Sequence, residues 1–142
     1  EYLELYLDEK YHIDSNLANF TAIIQEMIPK LNWVGFYLYN DHHLYLGPFQ
    51  GKAAVQTINI GEGVCGASAE KRETMVVNDV NQFIGHIACD EASNAEVVIP
   101  IIFNDQLFGV LDIDSPLINR FDQATVDQLK EAINLLVEII KK

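Results

Sequence analysis

The chain has 142 residues, the size of one domain, and its 49% hydrophobic content is enough to bury a substantial core and too high for a disordered chain. A net charge of −12 works against nucleic acid and anionic membranes, since the densest cationic spots are Lys71-Arg72 and Lys141-Lys142. No apolar run approaches the ~20 residues of a bilayer span, and two cysteines make no disulfide framework, which points to a cytoplasmic protein with reduced thiols.

Residues 15–30 read as a helix. Ser15 is the expected N-cap, Leu17, Phe20, Ile23, Ile24, Met27 and Ile28 recur at helical spacing, and Pro29 closes the run. Residues 33–39 are aromatic and aliphatic, as a strand is. Asn40-Asp41 supplies a turn, and residues 44–49 complete a predicted hairpin. Residues 55–60 alternate apolar with polar and read loosely as a third strand. Gly61, Gly63 and Gly66 bracket Cys65, followed by an expected short helix over 67–72 and a short strand over 74–77.

Residues 78–95 show no sustained period, and a loop of that length in a compact domain is usually functional. Residues 96–103 and 106–114 form the next predicted hairpin, joined by Asn104-Asp105. Asp122 caps the last helix, with Phe121 and Val126 as a hydrophobic staple and Leu129, Ile133, Leu136 and Ile140 as its apolar stripe. The pattern predicts one α/β domain over 1–142, of the α+β kind. Its central sheet is mainly antiparallel, with N- and C-terminal helices packed on it.

Several residues have the chemistry of a site. Cys65, in Gly-Glu-Gly-Val-Cys-Gly, is either a small buried hydrophobe or, at a helix start, a thiol whose pKa the helix dipole lowers. Cys89 lies in the long loop three residues after His86, which either assists a thiolate or is simply solvated. His86 and Cys89 fall short of a zinc ligand set, so no metal is expected. Asp112 and Asp114 alternate and share a strand face. They either hold an ammonium group and a proton or mark the strand's exposed end, and hairpin pairing can bring Glu96 to the same side. Trp33 and Tyr37 share a face too, as core aromatics or as a wall for a methyl or sulfur ligand.

Together these segments resemble one family. Asn-Trp-Val-Gly-Phe-Tyr (32–37), Leu-Gly-Pro-Phe-Gln-Gly-Lys (46–52), Gly-Glu-Gly-Val-Cys-Gly (61–66), Gly-His-Ile-Ala-Cys-Asp (85–90), Ser-Asn-Ala-Glu (93–96) and Gly-Val-Leu-Asp-Ile-Asp-Ser (109–115) follow the order seen in free methionine-R-sulfoxide reductases. The resemblance implies a GAF-type domain, no bound cofactor, and thioredoxin with NADPH as the external reducing system. It casts Cys89 as the nucleophile that becomes a sulfenic acid, resolved by a second cysteine to a disulfide. It casts Trp33 and Tyr37 as the substrate wall, and Glu96, Asp112 and Asp114 as the acidic binding group, with Asp114 favoured as proton donor. The backbone near Ile87 and Ala88 suits the substrate carboxylate. A homodimer is also implied.

The chain departs from the family at Val55, where a resolving cysteine is usual, which leaves Cys65 as the intramolecular candidate. A rival expectation is a non-enzymatic GAF sensor for a small ligand, descended from the same family.

Overall fold

The computed structural model describes residues 2–83, 85 and 92–141. In chain order the elements are α1 (Tyr2–Tyr6), α2 (Ile13–Met27), β1 (Trp33–Asn40), β2 (His43–Gln50), β3 (Thr57–Asn59), α3 (Gly63–Lys71), β4 (Met75–Val77), β5 (Ala95–Phe103), β6 (Gln106–Ser115) and α4 (Gln123–Ile140). A 3₁₀ turn spans Val80–Gln82. The six strands form one sheet in the order β3-β2-β1-β6-β5-β4, and every neighbouring pair is antiparallel. Two hairpins distant in sequence therefore meet at β1 and β6, in the middle of the sheet.

Alternation along the strands divides the core in two. On one face Val34, Phe36 and Leu38 of β1, Val97, Ile99 and Ile101 of β5, and Leu111 and Ile113 of β6 meet α2 and α4. Those helices contribute Phe20, Ile23 and Ile24, and Val126, Leu129, Ile133 and Leu136. Each such side chain stabilises the fold by about 1.5–3 kcal/mol on burial. On the other face Trp33, Tyr37, Val98 and Val110 pack with Val64, Cys65 and Ala69 of α3. No helix among the described residues is long and apolar enough to cross a membrane.

Local chemistry accounts for most boundaries. Asn104 and Asp105 both have positive φ, 54° and 60°, as the two-residue turn between β5 and β6 requires. The β1–β2 turn falls one residue later than expected, on Asp41 (φ 49°) and His42 (φ 66°). Asp122 caps α4 by accepting from the Thr125 amide at 2.9 Å, and Phe121 and Val126 are both buried.

Ser15 is not the cap of α2. The helix starts at Ile13, and Asn16, buried in its first turn, fastens the preceding segment by accepting from the Asp8 amide and donating to the Asp8 carbonyl. α1 was not foreseen from the sequence; Leu3, within it, and Leu7, just after it, enter the helix-side core. The third strand shrinks to Thr57–Asn59 and leaves Val55 outside it, exposed. α3 begins at Gly63, four residues earlier than expected, which puts Cys65 in its first turn.

The junction of the two hairpins tolerates no added bulk. Gly109 lies opposite Leu38, and a Cβ there would stand 2.4 Å from the Tyr37 carbonyl oxygen and 2.9 Å from the Leu38 Cα. Both are backbone atoms of the central strand and cannot rotate away. Gly109→Ala is expected to destabilise the protein by ~3 kcal/mol, read as a lowered urea midpoint. An unchanged midpoint would show that β1 and β6 can separate without loss.

Candidate active site

Strand register builds the site. Trp33 lies opposite Asp114 and Gly35 opposite Asp112 across β1 and β6. Glu96 lies opposite Asp114 and Val98 opposite Asp112 across β5 and β6. Directly opposed residues share a face, so all three acidic residues point toward α3, where Cys65 meets them. The four are buried, with exposures of 4% (Glu96), 2% (Asp112), 4% (Asp114) and 4% (Cys65). Asp112 and Asp114 therefore do not mark an exposed strand end.

The Asp112 carboxyl is in contact with Glu96, Cys65 and Asp114, and its Oδ1 is buried with no hydrogen-bond partner among the described residues. Cys65 Sγ and one carboxylate oxygen each from Glu96 and Asp112 all stand within 4.8 Å of one another. This trio is the one group among the described residues whose ligating atoms are close enough to share a metal ion. Among the described residues the trio borders a small, partly open space of about 10 Å³, rimmed by Ile58, Glu62, Gly63 and Val64. The larger surface grooves lie elsewhere, such as the one around Tyr39 and Gln106, and contain none of these groups.

Burial sets the protonation of the cluster. It raises the Glu96 carboxyl from 4.5 to about 8; the Asp114 charge adds to the rise and a hydrogen bond with Asp112 offsets part of it. Asp112 is held well above the usual carboxylate range, first by burial and then by the Glu96 charge. Burial, followed by the charges of Asp112, Glu96 and Asp114, also pushes the Cys65 thiol up. Of the two readings of Cys65, the structure supports the buried one, and the lowering by a helix N-terminus does not prevail. A helix terminus is worth about 0.3–1 kcal/mol near the surface, which loses to desolvation among carboxylates.

The opposite wall is aromatic. Trp33 and Tyr37, both fully buried, stack with ring centroids 6.0 Å apart. Phe49 stacks on the other side of the indole at 5.1 Å. Gly35 makes room for this arrangement: a Cβ there would lie 2.5 Å from Trp33 Cη2 and 2.4 Å from Phe49 Cβ. The wall also fastens the strap that follows β2. Trp33 Nε1–H donates to the Lys52 carbonyl at 2.9 Å, and the Tyr37 hydroxyl donates to the Val55 carbonyl at 2.7 Å. Phe49 escaped the sequence reading, since only the register of β1 and β2 sets it opposite Gly35.

His86, Ile87, Ala88 and Cys89 lie outside the described residues. The ends of their segment are described and are fastened beside the site. The Val80 amide donates to the Asn94 carbonyl at 2.9 Å, the Asn94 amide to the Ser115 carbonyl at 2.8 Å, and Asn32 Nδ2 to Ser93 Oγ at 2.9 Å.

The geometry has counterparts in known proteins. A family model described as GAF domain matches residues 17–141. The free methionine-R-sulfoxide reductase of Escherichia coli (strain K12) is 43% identical over 126 residues, covering 89% of this chain and 76% of that protein. The free methionine-R-sulfoxide reductase of Saccharomyces cerevisiae is 44% identical over 135 residues, covering 89% of this chain and 73% of that one. The structure of fRMsr of Staphylococcus aureus in complex with substrate superposes with a TM-score of 0.90 at 43% identity, covering 97% of this chain and 90% of that one.

A carboxyl that ionises at 4.5 when unfolded but near 8 when folded holds an extra proton in the native state between those values. Its contribution to stability is full below pH 4.5 and is lost as pH rises through about 8. The melting temperature of the reduced protein is expected to fall across that window, and Glu96→Gln is expected to flatten the fall. A slope identical in wild type and Glu96→Gln would mean that Glu96 is ionised throughout.

Proposed function

The chain belongs to the free methionine-R-sulfoxide reductases, a family carried on the GAF domain, and from that premise we propose how its pocket turns free methionine-R-sulfoxide into methionine. The observation that carries the reading is the burial of Glu96, Asp112 and Asp114 against the Trp33–Tyr37 wall, with Cys65 in the same interior. A free amino acid brings an ammonium group, which a buried carboxylate attracts, and a sulfoxide oxygen, which needs protons to leave. A cluster that mixes ionised and protonated carboxyls offers both.

In this account the Cys89 thiolate attacks the sulfoxide sulfur. The sulfoxide oxygen takes up a proton and passes to Cys89, methionine departs with its sulfur reduced, and Cys89 is left as a sulfenic acid. Glu96, still protonated near neutral pH, supplies that proton, while Asp114 pairs with the ammonium group and the Asp112 carboxyl accepts a hydrogen bond from it. This moves the acid role from Asp114, favoured on the motif, to Glu96. Trp33 and Tyr37 receive the methyl sulfide end, and amides near Ile87 and Ala88 receive the carboxylate.

The Cys65 thiol then displaces hydroxide from the Cys89 sulfenic acid, releasing water and forming a disulfide that thioredoxin reduces at the expense of NADPH. Cys65 must lose a proton to do so, and Glu96, left as a carboxylate by the first step and with an oxygen within 4.8 Å of Cys65 Sγ, is the acceptor at hand. Val55, on the exposed strap, has no thiol to offer. This chemistry belongs in the reducing cytoplasm. The sensor alternative draws on Val55 alone; a binding site has no use for a carboxyl kept protonated beside a thiol.

The space of about 10 Å³ bordered by the acids among the described residues is far smaller than an amino acid. The strap of residues 51–56 is tied to the aromatic wall through Trp33 and Tyr37.

Cys89→Ser is expected to abolish methionine formation while leaving substrate binding intact, read through the fluorescence of the single tryptophan. Glu96→Gln should lower kcat about 100-fold. Cys65→Ser should keep turnover with dithiothreitol and lose it with thioredoxin. Full activity in Cys89→Ser would sink the mechanism, and thioredoxin-driven turnover in Cys65→Ser would assign recycling to an external thiol.

A further inference from the structure

Sulfur and oxygen ligands from three elements converge in the interior, and the reductase reaction does not account for all of their geometry. Cys65 comes from the first turn of α3, Glu96 from β5 and Asp112 from β6, and their ligating atoms stand within 4.8 Å of one another. A tetrahedral zinc site with bonds of about 2.3 Å to sulfur and about 2.0–2.2 Å to oxygen separates its ligand atoms by roughly 3.5 Å. The separations within this trio, none above 4.8 Å, lie close to that spacing. The second observation is independent of the clustering: Asp112 Oδ1 is fully buried and has no hydrogen-bond partner among the described residues. Asp112 borders a small, partly open space of about 10 Å³, the size of an ion or one water. Glu62 is exposed at the rim of that space and Gly63 partly so, which gives a cation a way in.

We propose that Cys65, Glu96 and Asp112 bind one divalent transition-metal ion of the zinc type. The thiolate selects zinc or cobalt over magnesium and calcium, which favour all-oxygen sites. The acidic surface, at −12 overall, concentrates such cations near the entrance. A metal held here ties up the Cys65 sulfur and occupies the seat assigned above to the substrate's ammonium group. Occupancy therefore silences the enzyme until a chelator removes the ion. That consequence rests on the proposed function; the binding itself does not.

The test is a titration of the reduced, metal-free protein with Co²⁺, followed by the thiolate-to-cobalt charge-transfer absorption, and with Zn²⁺ by calorimetry. The account expects one ion per chain and a charge-transfer band retained in Cys89→Ser. The band should vanish in Cys65→Ser, and zinc affinity should fall about 100-fold in Glu96→Gln, a near-isosteric change that spares the fold. A band that survives Cys65→Ser and disappears in Cys89→Ser would overturn the site, as would a lack of stoichiometric binding by folded, reduced protein. Zinc that binds with this dependence yet leaves methionine formation untouched would overturn the silencing. A protein inactive even with chelator would count against the reductase mechanism while the cobalt band still decides the metal site.

Discussion

Removing a carboxylate from water costs several kcal/mol unless the group is paired or takes up a proton, and β5 and β6 remove three of them side by side. Glu96 and Asp112 answer that cost by keeping protons to unusually high pH, with the Asp114 charge adding to the rise of Glu96 and the Glu96 charge to that of Asp112. The cost recurs in Cys65, whose thiol is held protonated by the same surroundings. Proton supply, ammonium recognition and the restraint of the second thiol all derive from this one act of burial.

Such a site lowers stability, and the sheet arranges for that to be tolerable. Its helix-side face is apolar along β1, β5 and β6 and is sealed by α2 and α4. That face is free of buried acids and supplies the hydrophobic burial the domain relies on. The same strands turn their alternate residues to the other face, where Trp33, Tyr37 and the acids stand. Period-two alternation thus lets six strands serve stability on one side and chemistry on the other. The central position of β1 and β6, both hydrogen-bonded on two sides, makes the placement of Trp33, Asp112 and Asp114 rigid, as a preorganised site requires.

Much of this was legible in the sequence because it depends on local rules. The two-residue turn at Asn104-Asp105, the Asp122 cap and the alternation of Asp112 with Asp114 each follow from short-range chemistry. The antiparallel character of the sheet was legible from the runs of strands between terminal helices, but the strand order with β1 against β6 was not, since their pairing joins segments about 75 residues apart in the chain. Which of its two readings Cys65 follows was not legible for a related reason. Its neighbours in sequence are the glycines of a helix start, whereas the neighbours that set its pKa arrive from β5 and β6. Ser15 failed as a cap because Asn16 has a better use for the first turn of α2, gripping Asp8. Phe49 is invisible as a site residue until the register sets it opposite Gly35.

Protonation of buried carboxyls near neutral pH is the claim on which the reading of the site stands. Difference infrared spectroscopy of the folded, reduced protein measures it directly, through the carbonyl stretch of protonated carboxylic acids. The account predicts a protonated-carboxyl band that persists through neutral pH, fades as pH passes about 8, and is weakened in Glu96→Gln. Carboxylate bands alone throughout the neutral range, unchanged by that substitution, would contradict it.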